Sequence, residues 1–307
     1  MISAVLGLVA GAWVVGQLAT VDVLGSLAGA DPGWAMVAVI ASLIPLLGAA
    51  LSVAAFTPGR VPPGRVLAAQ LATSFLGVVL PPSVGQVAVN ARFLHQLGHP
   101  PAVIAASVGL TQLCGLAVTV ALLAGSLAVT GGAAAVLPGS AIWVSAVWVV
   151  SGIAVIAALG VALAPVAVPG LQRRLSPRVL GALAGAQPRL RELTGHPARL
   201  SAGLGGNLLV TAGLVATLDA SLRAFGVDLP FAQTAIVLLA GTVVGSAAPT
   251  PGGIGAVEAA LTAGLVTAGV PTAAALPAVL GFRLASLWLR VPAGWLAFTL
   301  LQRRGAL

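Results

Sequence analysis

The chain has 307 residues, of which 59% are hydrophobic and only 7% are charged. A soluble domain of ordinary composition carries about 25% charged residues, so 14 basic and 6 acidic side chains are too few to cover a water-exposed surface. The same apolar excess excludes a disordered chain. We therefore expect a polytopic membrane protein, whose net charge of +8 indicates orientation and contact with anionic lipid rather than binding to nucleic acid.

Apolar runs follow one another along the chain, each bounded by Pro, Gly or Arg. They are Ile2–Leu18, Gly33–Phe56, Val66–Leu80, Pro101–Val129, Ala141–Val168, Leu204–Leu222, Phe231–Ala248, Ile254–Val270 and Ala273–Leu301. A membrane-spanning helix needs about 20 such residues. The first run is expected to be a retained span, although Ala28–Ala30 also resembles the cleavage site of a signal peptide.

Arginines set the expected sidedness of the loops, because short loops rich in Arg face the cytoplasm. The strongest cluster is Gln172–Arg199, and Arg60–Arg65 and the C-terminal Arg303–Arg304 form two more. All three are expected inside. The Arg-free loop Asp22–Asp31 and the neutral turn Gly131–Gly139 are expected outside.

Two stretches must then enter and leave the membrane on one side. Val66–Gly98 lies between two cytoplasmic points and is broken at Pro81–Gly85, and Phe231–Val270 is broken at Pro249–Gly255. Irregular backbone is tolerated at membrane depth where protein covers it or water lines it. Both stretches are therefore predicted to be re-entrant hairpins. The residues assigned to their turns are Pro82, Gly85, Pro249, Pro251 and Gly255.

The order of span, broken hairpin and span occurs twice, from opposite sides, which is the pattern of an inverted-topology repeat. The predicted fold is all-α: a polytopic integral membrane protein with two inverted repeats and two re-entrant helical hairpins. It forms one domain over residues 1–307. The first repeat covers about 33–130, the second about 204–302, and the basic cytoplasmic loop about 172–199.

Ionisable side chains inside apolar runs are the candidate functional residues, because each costs about 2.5–3.5 kcal/mol to insert. Glu258 follows the second break and either caps the next helix or pairs with an Arg in a polar cavity. Arg283 is a candidate phosphate ligand or partner of Glu258. Arg290 lies close to the same helical face and either anchors the helix or joins the site. Backbone N–H groups at Gly252 and Gly253 suit a phosphate.

The first hairpin offers Gln86 and Arg92, and Arg92 is expected to be a headgroup contact or a snorkelling anchor. Asp219 and Arg223 have the spacing of an interfacial ion pair. The tryptophans, among them Trp288, are expected in interfacial belts.

No metal or cofactor site is predicted, since no acid or cysteine accompanies the histidines. The motifs of nucleophilic hydrolases, P-loop proteins and zinc proteases are missing from the sequence, so an enzyme is not expected.

Pro249–Glu258 together with Arg283 resembles the lysylphosphatidylglycerol synthase transmembrane region, also called the flippase-like or UPF0104 family. The late motif of that family is Pro-Gly-Gly-x-Gly-x-x-Glu, followed about 25 residues later by Arg. It matches at Pro251, Gly252, Gly253, Gly255, Glu258 and Arg283.

The earlier motif of the family has Pro, then Gly-Glu, then Arg. Here it corresponds to Pro82, Gly85 and Gln86, with Val89 where the Arg would fall. The first carboxylate is thus an amide, and the Arg is missing or shifted to Arg92. The resemblance spans roughly residues 33–304.

The resemblance implies a domain that moves an anionic or aminoacylated phospholipid, or a polyprenyl-phosphate lipid, between leaflets. Arg283, with Arg92 or Arg290, would hold the headgroup phosphate, with Gln86 in the same groove. Glu258 would balance these charges or change protonation between inward and outward states.

Two other functions stay open: a small-solute or ion secondary transporter, and a membrane scaffold that recruits a soluble lipid-modifying enzyme through the basic loop 172–199. A lipid site needs a lateral opening, whereas a solute site needs a closed polar vestibule. The use of Arg without Lys and the abundance of Ala and Gly resemble a GC-rich bacterial genome. We therefore expect a multi-pass protein of the bacterial cytoplasmic (inner) membrane with a cytoplasmic C-terminus.

Overall fold

The computed structural model describes residues 29–59, 61–79, 82–131, 196–246 and 251–303, and these are helical apart from short connections. In chain order the helices are α1 (Pro32–Phe56), α2 (Pro63–Val79), α3 (Pro82–Gln96), α4 (Pro101–Val129), α5 (Pro197–Ala224), α6 (Phe231–Ser246), α7 (Ala256–Thr267), α8 (Thr272–Arg283) and α9 (Arg290–Arg303). A 3-10 turn, Pro251–Gly253, precedes α7, and a π-helical segment, Leu284–Trp288, joins α8 to α9.

Helix lengths follow the order long, short, short, long in both halves of the described chain. The first four helices have 25, 17, 15 and 29 residues. In the second half, α5, α6 and α7 have 28, 16 and 12 residues, and the continuous helix Thr272–Arg303 has 32. The four long helices have the length and hydropathy of membrane spans. The prediction of an all-α, multi-pass membrane protein is therefore confirmed.

Several sequence predictions fall outside the described residues. They are the spans Ile2–Leu18 and Ala141–Val168, the turn residue Pro249, and most of the loops Gln172–Arg199 and Gly131–Gly139. One predicted boundary shifts, because α5 begins at Pro197 rather than near Leu204. The fixed φ of proline suits the first position of a helix, and α1 to α4 also begin at a proline.

Helices α1 and α5 approach closely at a pair of glycines. A Cβ atom added to Gly48 would lie 2.5 Å from the carbonyl oxygen of Gly206, and one added to Gly206 would lie 2.6 Å from that of Gly48. Asn207 Nδ2 donates a hydrogen bond of 2.8 Å to Ser52 Oγ beside this contact. Small residues allow such backbone approach in membranes, where dispersion and hydrogen bonds hold helices together.

Hydrogen bonds at both ends show that α1 and α5 are antiparallel. The backbone N–H of Asp31, before α1, donates to the carbonyl of Ala224 at the end of α5, at 2.7 Å. At the opposite end, Arg199 Nη2 donates to the carbonyl of Thr57 at 2.7 Å. The first helices of the two halves therefore run side by side in opposite directions.

The last long helix of each half packs on the first short helix of the other half. Phe298 of α9 meets Phe75 of α2 with ring centroids 5.7 Å apart, and α4 shares an apolar cluster with α6. The residues of that cluster are Leu123, Leu127, Ile236 and Leu239. The two halves are thus interlocked rather than placed end to end.

Two neighbouring glycines of α5 test the α1–α5 contact. Gly206→Ala places a methyl group against the backbone of Gly48 and is expected to cost about 1–3 kcal/mol. Gly205 has no atom within 4 Å of its added Cβ, so Gly205→Ala should be neutral or slightly stabilising, since Ala favours a helix by about 0.5–1 kcal/mol over Gly. The thermal midpoint of unfolding in detergent measures the change in stability of each variant. Equal shifts for the two variants would contradict the close contact.

Candidate functional site

The second helix break is built on glycines with positive φ. Gly252 has φ of +64° and Gly255 has φ of +84°, a region that only glycine adopts at little cost. The chain turns sharply here and enters α7 at Ala256. The glycines of the motif are therefore required by the backbone of the turn.

Glu258 caps the helix that follows this turn. Its Oε2 accepts a hydrogen bond of 2.7 Å from the backbone N–H of Gly255, the arrangement of a capping box. Its Oε1 accepts from Arg283 Nε at 2.6 Å. Helix capping and pairing with an Arg were alternatives at the level of the sequence, and the structure shows both in one side chain.

Arg283 closes the network through the turn itself. Its Nη2 donates a hydrogen bond of 2.8 Å to the carbonyl oxygen of Gly252. The side chains of Arg283 and Glu258 are only 10% and 12% exposed. Two nitrogens of the guanidinium are thus already occupied by groups of this chain, and the charges of the pair cancel.

The same turn contacts the first pair of short helices. A Cβ atom on Gly252 would lie 3.5 Å from the Cα atom of Val78, near the end of α2, and the turn Pro251–Gly253 also touches α3. Val78 packs in turn against Phe75 and Val291. The break in the second half and the end of α2 therefore meet at one place, which we call the junction.

The first break differs from the sequence prediction at Gly85. This residue was assigned to a turn but lies inside α3, which begins at Pro82. A Cβ atom on Gly85 would lie 3.2 Å from the backbone of Leu76, so the glycine allows α3 to approach α2. The error arose because two prolines followed by a glycine suit a turn, whereas Pro82 here starts a helix.

Polar groups of the first half are arranged differently from those of the second. Gln70 Nε2 donates a hydrogen bond of 2.9 Å to Asn90 Oδ1, and both amides are buried between α2 and α3. Gln86 is half-buried, and Arg92 is exposed on α3. Gln70 was not among the residues predicted from the sequence, although a single amide in the apolar part of α2 was the available signal.

Arg290 does not join the network of Arg283. The π-helical segment Leu284–Trp288 separates the two arginines. Because a π turn holds more residues than an α turn, seven residues no longer return to the same face, and that expectation was wrong. Trp288 in this segment is buried against Leu280 rather than placed in an interfacial belt.

Arg290 is half-buried. Its Nε and Nη2 atoms are enclosed and have no hydrogen-bond partner among the described residues. This donor edge is the second polar feature of the region, and it differs from that of Arg283 because none of the described residues accepts its hydrogen bonds.

The predicted pair Asp219–Arg223 is confirmed, with Arg223 Nε 2.9 Å from Asp219 Oδ2. Arg223 Nη2 also lies 2.9 Å from Asp228 Oδ1, and its guanidinium lies 5.3 Å from the ring centroid of Trp34. This cluster joins the end of α5 to the start of α1. Within the described ranges, no group of three His, Cys, Asp or Glu residues is placed to hold a metal ion.

These features define an integral membrane protein with paired long and short helices and a buried ion pair at a glycine turn. The chain matches the family model described as Lysylphosphatidylglycerol synthase TM region over residues 1–294. It belongs to that family, as its late motif indicated, and is therefore a membrane protein of a lipid-related family. No match was found among curated proteins.

The network predicts that replacing Glu258 lowers the free energy of unfolding much more than replacing Asp219 does. Glu258→Ala leaves Arg283 buried without its partner and should cost about 3–5 kcal/mol. Asp219→Ala removes a partner of Arg223, whose side chain is 33% exposed, and should cost about 0–1 kcal/mol. Thermal or denaturant unfolding in detergent compares the two. Equal losses would show that the Glu258–Arg283 pair is not enclosed.

A companion variant separates the charge from the contact. In Glu258→Ala/Arg283→Met both charges are removed together, so no unpaired ion remains, and much of the lost stability should return. A double-mutant cycle completed with Arg283→Met gives the coupling free energy. A coupling near zero would contradict the ion pair.

Proposed function

We propose that this protein moves lipid between the two leaflets of the membrane. The observation that carries the proposal is the buried Glu258–Arg283 pair at the junction, where the break in the second half touches the end of α2. An enclosed ion pair at a helix break in an apolar protein indicates a functional position rather than a surface contact.

The short helices support a re-entrant arrangement. At 1.5 Å per residue, helices of 12–17 residues are about 18–26 Å long, whereas a hydrocarbon core is about 30 Å thick. The long helices, with 25–32 residues, reach about 38–48 Å. The short pairs α2–α3 and α6–α7 are therefore proposed to enter and leave on the same side, with their breaks at membrane depth.

The packing supports an inverted repeat. Helices α1 and α5 occupy equivalent positions in the two halves and run antiparallel. The contact of α9 with α2 corresponds to the contact of α4 with α6. Each of them joins the last long helix of one half to the first short helix of the other half. Opposed halves of this kind suit alternating access, in which one half rocks against the other around a central site. The C-terminus is proposed to lie on the cytoplasmic side of a bacterial inner membrane, because Arg-rich ends such as Arg303–Arg304 favour that side.

An open, mostly apolar groove favours lipid over a small solute. It has a volume of about 550 Å³ and lies between α3 and α4. Its lining is mostly apolar, as at Ile104 and Val108, and includes the exposed residues Val87 and Ala105. An open apolar groove suits an acyl chain, whereas a solute carrier needs an enclosed polar chamber. Arg92 is exposed one residue beyond Ala91 of the groove, within the same helix.

In this proposal the Glu258–Arg283 pair acts as a latch, which means that its hydrogen bonds hold the glycine turn in position. Arg283 joins α8 to the turn, and Glu258 joins the turn to α7. Movement of a headgroup past the junction would require the turn to shift against α2. The Glu258–Arg283 pair would hold the junction closed in one state. It would form again after the headgroup has passed, because neither charge is stable alone in an apolar surrounding.

Transfer of anionic phospholipid, including lysyl-phosphatidylglycerol, in proteoliposomes with the purified chain tests the function. Transfer should exceed that in protein-free liposomes. Glu258→Gln keeps the size of the side chain but removes the charge that holds Arg283, and should slow transfer at least about tenfold, equivalent to 1.4 kcal/mol. Asp219→Asn makes the same chemical change outside the junction and should transfer lipid at the wild-type rate.

Two outcomes would count against the proposal in different ways. Absence of transfer by folded wild-type protein with any of these lipids would favour a solute carrier or a scaffold. Equal transfer by Glu258→Gln and the wild type would remove the latch role from Glu258 and leave translocation itself intact.

A further inference from the structure

Arg290 carries a charge that the described structure does not balance. Arginine stays protonated in proteins, so burial cannot make it neutral. Its Nε and Nη2 are enclosed and lack a hydrogen-bond partner among the described residues. These two nitrogens form one edge of the guanidinium and donate in parallel, which is the geometry that binds two oxygens of a phosphate.

The acidic residues of the chain are few enough to follow one by one. The sequence has six. Asp31 caps α1 by accepting from the backbone of Trp34, Asp219 and Asp228 pair with Arg223, and Glu258 pairs with Arg283. No described carboxylate is therefore left for Arg290.

The other two acids are Asp22 and Glu192, which lie outside the described residues. From the sequence, Asp22 is expected in the outer loop before α1 and Glu192 in the basic cytoplasmic loop. These two positions can be tested directly as alternative partners of Arg290.

The position of Arg290 links it to the junction. It directly precedes Val291, which packs against Phe75 and Val78 near the end of α2. The backbone of Arg290 therefore lies beside the junction, and its Nε and Nη2 have no hydrogen-bond partner among the described residues.

We propose that Arg290 binds a phosphate group through its Nε and Nη2 edge, and that Arg283 does not, because its own edge is filled by Glu258 and Gly252. The inference rests on the proposed function only in taking this phosphate to be that of a lipid. The residue as a whole is half-buried, while Nε and Nη2 are enclosed, so an anion reaches this edge only when the surrounding side chains shift. The two arginines thus have separate tasks: Arg283 holds the turn, and Arg290 holds the ligand.

Thermal unfolding of the full chain in dodecyl maltoside, in phosphate-free buffer, provides the first test. Removal of an unbalanced buried charge stabilises a protein, so Arg290→Gln should melt at the same or a higher temperature than the wild type. Arg303→Gln removes the same charge from an exposed position of α9 and should leave the midpoint unchanged. A clear loss of stability or failure to fold in Arg290→Gln alone would reveal an internal partner and overturn the proposal.

Ligand binding provides the second test, with dihexanoyl-phosphatidylglycerol, inorganic phosphate and the phosphate-free dihexanoyl-glycerol as probes. A phosphate-bearing probe should raise the wild-type midpoint, since a ligand that binds the folded state stabilises it. Titration calorimetry should show affinity at least about tenfold weaker in Arg290→Gln. Arg290→Lys keeps the charge but lacks the two parallel donors of the guanidinium edge, so it should bind the phosphate-bearing probes with intermediate affinity. Arg303→Gln should bind as the wild type does.

The probes also distinguish the source of the phosphate. Binding of phosphatidylglycerol alone assigns the edge to a lipid headgroup, and binding of inorganic phosphate as well assigns it to phosphate in general. Lack of response to both, or equal weakening in Arg290→Gln and Arg303→Gln, would overturn the proposal. The same holds if Asp22→Asn or Glu192→Gln lowers the thermal midpoint of the wild type but not that of Arg290→Gln, because that acid would then be the partner of Arg290.

These measurements separate the inference from the function on which it rests. Binding that depends on Arg290, together with no lipid transfer by the wild type, would retain the phosphate site and remove translocation. Lipid transfer at the wild-type rate by Arg290→Gln would retain translocation and overturn the role of Arg290.

Discussion

A single ion pair in an apolar surrounding constrains the rest of this structure. Glu258 and Arg283 lie 2.6 Å apart, and neither charge is stable there without the other. Their contact fixes the start of α7 against the end of α8, and the carbonyl of Gly252 completes it. The position of the glycine turn, and hence its contact with α2, depends on this pair.

The frame around that turn is held by a different kind of force. Helices α1 and α5 meet through backbone atoms at Gly48 and Gly206, where dispersion acts over a close contact and a hydrogen bond from Asn207 sets the register. Such a contact tolerates no added methyl group. The short helices also approach each other at a glycine, as at Gly85 against Leu76, but they do so beside the helix breaks. The contact between the long helices and the junction of the short helices are therefore different parts of one bundle.

Much of this was accessible from the sequence, and the failures have physical causes. The lengths of the apolar runs predicted the long helices. The presence of Glu258 and Arg283 within apolar runs indicated that they pair, because opposite charges in an apolar surrounding stabilise each other. Gly85 was assigned wrongly because a proline before it either ends or begins a helix, and the pattern is the same. The Gln70–Asn90 contact and the vacant edge of Arg290 depend on packing between distant segments, which local patterns do not encode.

The π-helical segment between Arg283 and Arg290 has a consequence for how such a chain can diverge. A π turn accommodates one extra residue in an otherwise regular helix. Deletion of one residue from Leu284–Trp288 would remove that extra residue and restore α geometry, so the residues after it would keep nearly the same direction relative to α8. Deletion of one residue from a regular α-helical part would instead rotate everything after it by about 100°. The π segment is therefore the place where this helix can change its length by one residue while both arginines keep their neighbours.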